Sequence, residues 1–537
     1  MEALSIKALF IGLLAAGPAL AADTAVRNWG RSDTLRALAL APVLGPQVAR
    51  GAEPPLHPAL RSEEALRAVS TSAAPHYALP SLPARPPLPL LRTGAAGLQV
   101  EGMRAGHGNV SGAVGDLQYV QLADGLMTVY RKDDGARLLG PVAVNAMFAD
   151  GPADADAGMR ACGAARQGAG AVLFDQLAKR WIVSYRAWQP GQAASGPYYL
   201  CLAVSASSDA TASYHRHALA IQGAAGQARY FDDPQLALWA DAYYLSVNLY
   251  QSATGSYLGP RVCGIQREAL LRGADARMRC RDLGAAAAPL VVASAEGYAG
   301  PERRDSAALF LSLGLAPEGR GKHLLLWRFS YSADLLEGPL AIPVAPFTIA
   351  CPEGDACVSQ PAPGAKLTAV GDRLMPHPVY RNDDGRDSLV ASHSVQMLEG
   401  QLGVRWYEIR DPFGAPRAYQ QGSFAPDGAS RWSASIGVDK AGNIALGYSV
   451  AAGDTPPGIR YSGRERTDPP GRMRAEQIVF NGAGVEPRPG RAVGTSGALS
   501  IDPADGCTFW YTQHYLPSTG PANWRTRIAS FKFEACQ

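Results

Sequence analysis

The chain has 537 residues and a formal net charge of +3, from 50 Lys and Arg against 47 Asp and Glu. So even a balance, with the basic residues scattered, excludes nucleic acid as a partner class. A hydrophobic fraction of 47% against 18% charged excludes disorder over most of the length.

At the start, Lys7 precedes the apolar stretch Ala8-Leu-Phe-Ile-Gly-Leu-Leu-Ala-Ala-Gly17, and Ala19-Leu20-Ala21 offers a small-x-small cleavage site. This pattern predicts a signal peptide over 1–21 and an exported protein, periplasmic or extracellular. The short apolar core and Gly17-Pro18 argue against a membrane anchor. No Cys follows the cleavage site, which argues against a lipid anchor. No later stretch approaches the ~18 apolar residues of a membrane span, so none is expected.

Residues 22–96 read as a Pro/Ala-rich extension or linker. Ser62-Glu-Glu-Ala-Leu-Arg-Ala-Val69 predicts a short helix with a Ser cap and acids in its first turn. The run from Pro75 to Pro89 is too rich in proline for the interior of a helix or sheet. It is either an extended tether or an ordered strap lying along the following domain.

From residue 97 to 537 a short phrase recurs: an Asp at a turn, followed by an alternating apolar run. Its copies centre on Asp116, Asp175, Asp241, Asp305, Asp372, Asp439 and Asp502, at spacings of 59, 66, 64, 67, 67 and 63. The clearest are Ser433-Ala-Ser-Ile-Gly-Val-Asp439 and Ser496-Gly-Ala-Leu-Ser-Ile-Asp502, each with a Tyr nine residues on, at Tyr448 and Tyr511. Alternation on both sides of a polar turn is a hairpin signal, and a hairpin repeated at fixed period predicts an all-β propeller. The count predicts seven blades, though six or eight also fit the spacing. Only half a module follows Asp502, so the ring must close with strands from both termini. Leu98-Gln-Val-Glu-Gly-Met103 is the expected upstream contribution.

The eight cysteines (Cys162, Cys201, Cys263, Cys280, Cys351, Cys357, Cys507 and Cys536) all follow the signal. An even count in an exported chain reads as disulfides. Sequential pairing keeps each bridge within about one module and is the preferred connectivity.

Catalytic signatures are missing: no Gly-x-Ser-x-Gly, no His-Glu-x-x-His, no phosphate loop and no dinucleotide fingerprint. No cofactor or metal is called for. His215 and His217 share a strand face but lack a third ligand, and the expectation is that they lie on the surface. Asn382-Asp-Asp-Gly-Arg-Asp387 and Asp133-Asp134-Gly135 read as hairpin turns rather than calcium loops. Trp181, Trp239, Trp327, Trp432 and Trp510 are expected between blades.

Ser500-Ile-Asp502-Pro-Ala-Asp505-Gly506-Cys-Thr508-Phe-Trp510 is similar to the Asp box of sialidase-type propellers, a structural hairpin away from catalysis. Arg405-Trp-Tyr407-Glu408 and Arg460-Tyr461 contain residue types that a sialidase uses. Strand alternation separates Arg405 and Tyr407 from Glu408, which weakens a joint role.

From Gly115 onward the chain resembles a group of uncharacterised exported bacterial proteins predicted to be propellers. The resemblance is carried by Leu173-Phe-Asp-Gln-Leu-Ala-Lys-Arg-Trp181, Asp372-Arg-Leu-Met375, Ser388-Leu-Val-Ala-Ser-His393, Val404-Arg-Trp-Tyr-Glu408, Gly442-Asn-Ile-Ala-Leu-Gly-Tyr-Ser449, Ile459-Arg-Tyr-Ser-Gly-Arg464, Cys507-Thr-Phe-Trp-Tyr-Thr512 and Trp524-Arg-Thr-Arg-Ile528. Relatives carry an acid shortly before three of the modules. Here Ala169 and Thr495 stand at two of those places, and only Asp232-Asp233-Pro234 keeps the acid. The resemblance therefore implies a degenerate axial site.

These readings favour a monomeric binding or interaction scaffold whose ligand is a glycan or another exported protein, engaged on the axial face. A carbohydrate-active hydrolase or lyase is the alternative, so whether the chain is an enzyme stays open. The candidate binding residues are Asp233, Asn248, Arg381, His393, Arg405 and Arg460, against the competing reading that Arg and His in strands hydrogen-bond between blades.

Overall fold

A computed structural model describes residues 21–36 and 98–537, apart from segments at 106–109, 150–154, 165–166, 193–194, 222–228, 296–306, 355, 384, 398–399 and 489–496. Seven antiparallel sheets follow one another in chain order, at 110–143, 167–220, 229–282, 291–348, 379–424, 430–480 and 498–531. They are blades one to seven of a β-propeller. In each, the first strand in sequence lies innermost, except that blade seven takes its outermost strand from upstream. There Gln99–Ala105 pairs antiparallel with Trp524–Phe531. Both ends of the propeller chain thus share the closing blade, as its half-length last module requires.

Inner strands meet around the axis, where their amides would lack partners. Serine hydroxyls of neighbouring blades accept several of them: Val172 N–H donates to Ser111 (3.1 Å), Leu238 N–H to Ser294 (3.2 Å) and Leu499 N–H to Ser435 (3.0 Å). Between blades the packing is aromatic and aliphatic. Trp181, Trp239, Trp327, Trp432 and Trp510 are all buried, and Trp239 stacks on Tyr380 two blades further along the chain, 5.3 Å between centroids.

The sequential disulfides all form, at S–S distances of 1.97–2.04 Å. Cys263 and Cys280 are direct cross-strand partners in blade three. Cys507–Cys536 staples the closing blade.

The repeated Asp is a turn-builder. Asp175 accepts from Leu177 N–H and Ala178 N–H, both at 2.9 Å. Asp439 accepts from Ala441 N–H and Asn443 N–H, and Asp502 from Ala504 N–H. The copy assigned to Asp372 needs correction, because Asp372 precedes the inner strand of blade five. That blade turns instead at Asn382–Arg386, between Val379–Asp383 and Arg386–Gln396. A connection of 30 residues, 349–378, has shifted the phase while leaving the overall spacing regular. Asp305 lies outside the described residues.

The chain's first described residues add strands to finished blades. Ala21–Val26 pairs along Ala276–Asp282 as a fifth strand of blade three, and Asn28–Arg31 does the same on blade two. The expected helix over 62–69 and the proline run lie outside the described residues. The added strands also overturn the surface placement of two histidines. His215 and His217 are buried beneath Asn28–Arg31, and burial drives His217 down to about 4.

Candidate functional site

Hairpin turns built on Asp occupy one end of the ring. At the other end, where inner strands begin, the 349–378 connection folds back as a cap. Cys351–Cys357 closes its first loop. Val358, Leu367 and Ala369 pack with Leu402, Trp432, Leu516 and Trp524 of blades five, six and seven. Ala365 N–H donates to the Glu486 carbonyl (2.9 Å), and Gln360 bonds the same residue's carbonyl and amide. The cap also reaches blade three through Arg373.

Within the ring, a void lined by Gly112, Ala113, Val172, Phe174, His377, Leu499 and Ser500 among others has a volume of about 20 Å³. That is room for one water. No carboxylate lines it.

Polar chemistry concentrates between the cap and blades two and three. The inner strand of blade three, Arg229–Leu238, has a register shift between Asp232 and Gln235. Asp233 sits there at φ 52, a left-handed conformation that Asp tolerates better than most residues. A matching shift lies between Gln167 and Gly170 of blade two, and another between Trp432 and Ser435 of blade six. The Ala169 position of blade two and the Asp233 position of blade three are thus structurally equivalent. Residues 492–496 lie outside the described residues.

Asp233 Oδ2 accepts from Arg373 Nη1 at 3.2 Å, and Asp372 binds the same guanidinium through Nε (2.9 Å) and Nη2 (3.1 Å). Burial opposes the Arg373 charge, but the neighbouring carboxylates outweigh it and hold its pKa well above the ordinary value. The one retained acid is therefore tied to an arginine of the cap. A second pair lies alongside: Arg186 Nη1 donates to Asp232 (2.7 Å), to the Tyr230 hydroxyl (2.5 Å) and to the Phe231 carbonyl (2.9 Å). Among the described residues no three His, Cys, Asp or Glu side chains are grouped to hold a metal.

Aromatic rings run beside these charges. Trp188, Tyr198, Tyr230, Tyr250 and Tyr257 follow one another with centroids 5.9, 5.4, 6.0 and 5.5 Å apart. Cross-strand pairing builds the row, because Tyr230 faces Tyr250 and Tyr250 faces Tyr257. One step along, Asp232 faces Asn248. Arg186 lies 5.6 Å from the Trp188 centroid and 4.9 Å from that of Tyr230. Trp188, Tyr230 and Tyr257 are half-buried, while Tyr198 and Tyr250 are buried.

Of the candidate residues, the fold brings Asp233 and Asn248 together and scatters the rest. Arg405 bonds Ser423, Gln421 and the Ala345 carbonyl of blade four. His393 bonds Tyr407 (2.9 Å), and burial and then Arg405 drive it down to about 3. Arg460 bonds Asn481 and the Phe480 carbonyl at the outer side of blade six. Arg381 is buried in the inner strand of blade five. Tyr407 and Glu408 go to separate partners, Glu408 accepting from Ser388 at 2.9 Å. Sequence reasoning missed Arg186, Arg373, Tyr230, Tyr250 and Trp188. Only the bulge position, flagged by Asp233-Pro234, pointed toward them.

No family model matches the chain, and no curated protein matches it significantly. Among solved structures, it is similar to the phage phi92 endosialidase at 7% identity, covering 66% of this chain and 65% of that one, with a TM-score of 0.38. An endo-arabinase from Bacteroides thetaiotaomicron is similar at 14% identity, covering 57% and 97%, with a TM-score of 0.29. Trypanosoma rangeli sialidase is similar at 7%, covering 66% and 53%, with a TM-score of 0.34. Likenesses this weak carry nothing about activity, and the blade count rests on the chain's own strand pairing.

Proposed function

We propose that this chain is an exported bacterial propeller that binds a ligand without converting it, on the capped face beside blades two and three. The single observation carrying this reading is that Asp232, Asp233 and Asp372 are each committed to a guanidinium. Acid–base catalysis needs one carboxyl group free to give a proton and another free to take one. Export is supported by the signal-like first 21 residues, by four disulfides and by the resemblance to exported propellers. No helix among the described residues is long and apolar enough to cross a membrane.

The second reading, a carbohydrate-active hydrolase or lyase, draws on the convergence of three carboxylates with several tyrosines in the same place. Incubating the mature protein with a polysaccharide panel separates the two. Reducing ends or unsaturated uronates above the rate of an Asp232→Asn/Asp233→Asn control would establish turnover and sink the binding-only reading. Retention without products supports it.

A further inference from the structure

Resting on that binding reading, we propose that the site takes a neutral, hydroxyl-rich sugar chain rather than an anionic one. Three features of the cluster select this chemistry. First, two guanidiniums face three carboxylates, Arg186 and Arg373 against Asp232, Asp233 and Asp372. The cluster is net negative, and a carboxylate or phosphate ligand would have to displace an acid already bonded there.

Second, two buried polar atoms at the site lack partners: Asn248 Oδ1, an acceptor, and Arg186 Nε, a donor. Asn248 is 2% exposed and stands directly across the sheet from Asp232, which Arg186 holds. An unmet buried polar group is costly, and both atoms are closed to solvent, so a ligand gains on each as the Asn248 and Arg186 side chains turn to meet it. A carboxylate only accepts and an ammonium only donates, whereas a hydroxyl does both. The Asp232 side chain, 34% exposed, can accept from a further hydroxyl.

Third, the aromatic row offers apolar faces for the C–H faces of sugar rings. Trp188 and Tyr230 are half-buried, so part of each ring stays open while the rest is fixed by its neighbours. Fixed rings bind without a large ordering cost. The half-buried rings Trp188, Tyr230 and Tyr257 are spaced by the buried Tyr198 and Tyr250, and a spaced set suits an oligomer better than a single sugar.

Calorimetry on the mature full chain with neutral hexasaccharides (gluco-, manno-, xylo- and arabino-configured) and a galacturonate hexamer as the acidic arm tests this. One neutral oligomer is expected to bind, with at least a tenfold loss in Trp188→Ala, partial recovery in Trp188→Tyr, and a smaller loss in Asn248→Asp. The galacturonate is expected to bind at least tenfold more weakly. Preference for the acidic oligomer, neutral binding untouched by Trp188→Ala, or no binding by any hexamer each overturns the assignment. Circular dichroism of each variant separates loss of the site from loss of the fold. Cleavage of a bound neutral hexamer would defeat the binding-only reading and leave the ligand class standing.

Discussion

The two ends of the ring both rely on aspartate, in opposite ways. At the turn end, Asp439 and Asp502 bond amides within four residues of themselves, and such contacts form as soon as the hairpin does, although Asp502 also takes Lys132 of blade one at 2.9 Å. At the capped end, Asp232 finds its partner on another blade and Asp233 in the cap, Arg373 reaching Asp233 across 140 residues while also bonding its own neighbour Asp372. Asp175 does both, since it caps its own turn and takes a bidentate contact from Arg267 at 2.6 and 2.9 Å. A repeated residue therefore marks architecture where its partners are local, and a candidate site where they are not.

The strongest way to break this contrast is to remove the cap's arginine. Arg373→Ala leaves Asp233 and Asp372 without their buried counter-charge, which should cost about 3–5 kcal/mol. Urea midpoints measure the loss, and hydrogen exchange should rise in 349–378 ahead of the blades. Uniform exchange across ring and cap would mean that Arg373 does not fasten the cap.

Bridges at the two places should differ as their loop lengths do. Cys507–Cys536 spans 29 residues and Cys351–Cys357 only 6. Chain entropy then assigns about 3.5 kcal/mol to the first and about 2 kcal/mol to the second. Paired Cys→Ser variants compared by urea unfolding check the order. A larger loss at the cap would show that closure of blade seven depends on Gln99–Ala105 pairing more than on its staple.

Between pH 6.5 and 4, acid should act through buried histidines. Burial lowers His217 and His514 to about 4, and burial with Arg405 lowers His393 to about 3. The unfolded chain binds these protons more readily than the native one, so their contribution is complete above pH ~6.5 and is lost as pH falls toward 4 and below. Asp439 works the other way. Burial raises it to about 6, so its contribution is complete below its unfolded value and is lost as pH rises through 6. Asp439→Asn should steepen the fall in stability between pH 6.5 and 4. An unchanged slope, read from urea midpoints at pH 7, 5.5 and 4.5, would put Asp439 outside this balance.

Much of the fold was legible because its determinants are local. Alternation around Asp439 and Asp502 marked hairpins, their spacing gave seven blades, and the half-module after Asp502 required an upstream strand. The disulfides followed from the same modularity. What stayed hidden depends on contacts between distant segments. Nothing in Asp372-Arg373 distinguishes a cap residue from a turn, and the inserted connection kept the spacing regular by chance. Tyr198 and Tyr230 look like any strand aromatics until two blades set them side by side. The strands at 21–31 carry no alternation to announce them, since they pair by backbone along edges already formed.

The smallest expected effect tests the turn end by itself. Lys179 and Asp116 link the turns of blades one and two at 2.8 Å, with side chains 46% and 38% exposed. A pair so open to water is screened and pays side-chain entropy to form, and it is worth less than about 0.5 kcal/mol. Lys179→Met should therefore leave the urea midpoint almost unchanged, and added salt should not separate it from the parent chain. Against the 3–5 kcal/mol expected of Arg373, the ratio measures how much burial converts the same charge pairing into structure. A loss above about 1 kcal/mol at Lys179 would show that exposed turn contacts, and not only the buried Arg267–Asp175 and Lys132–Asp502 pairs, couple the blades around the ring.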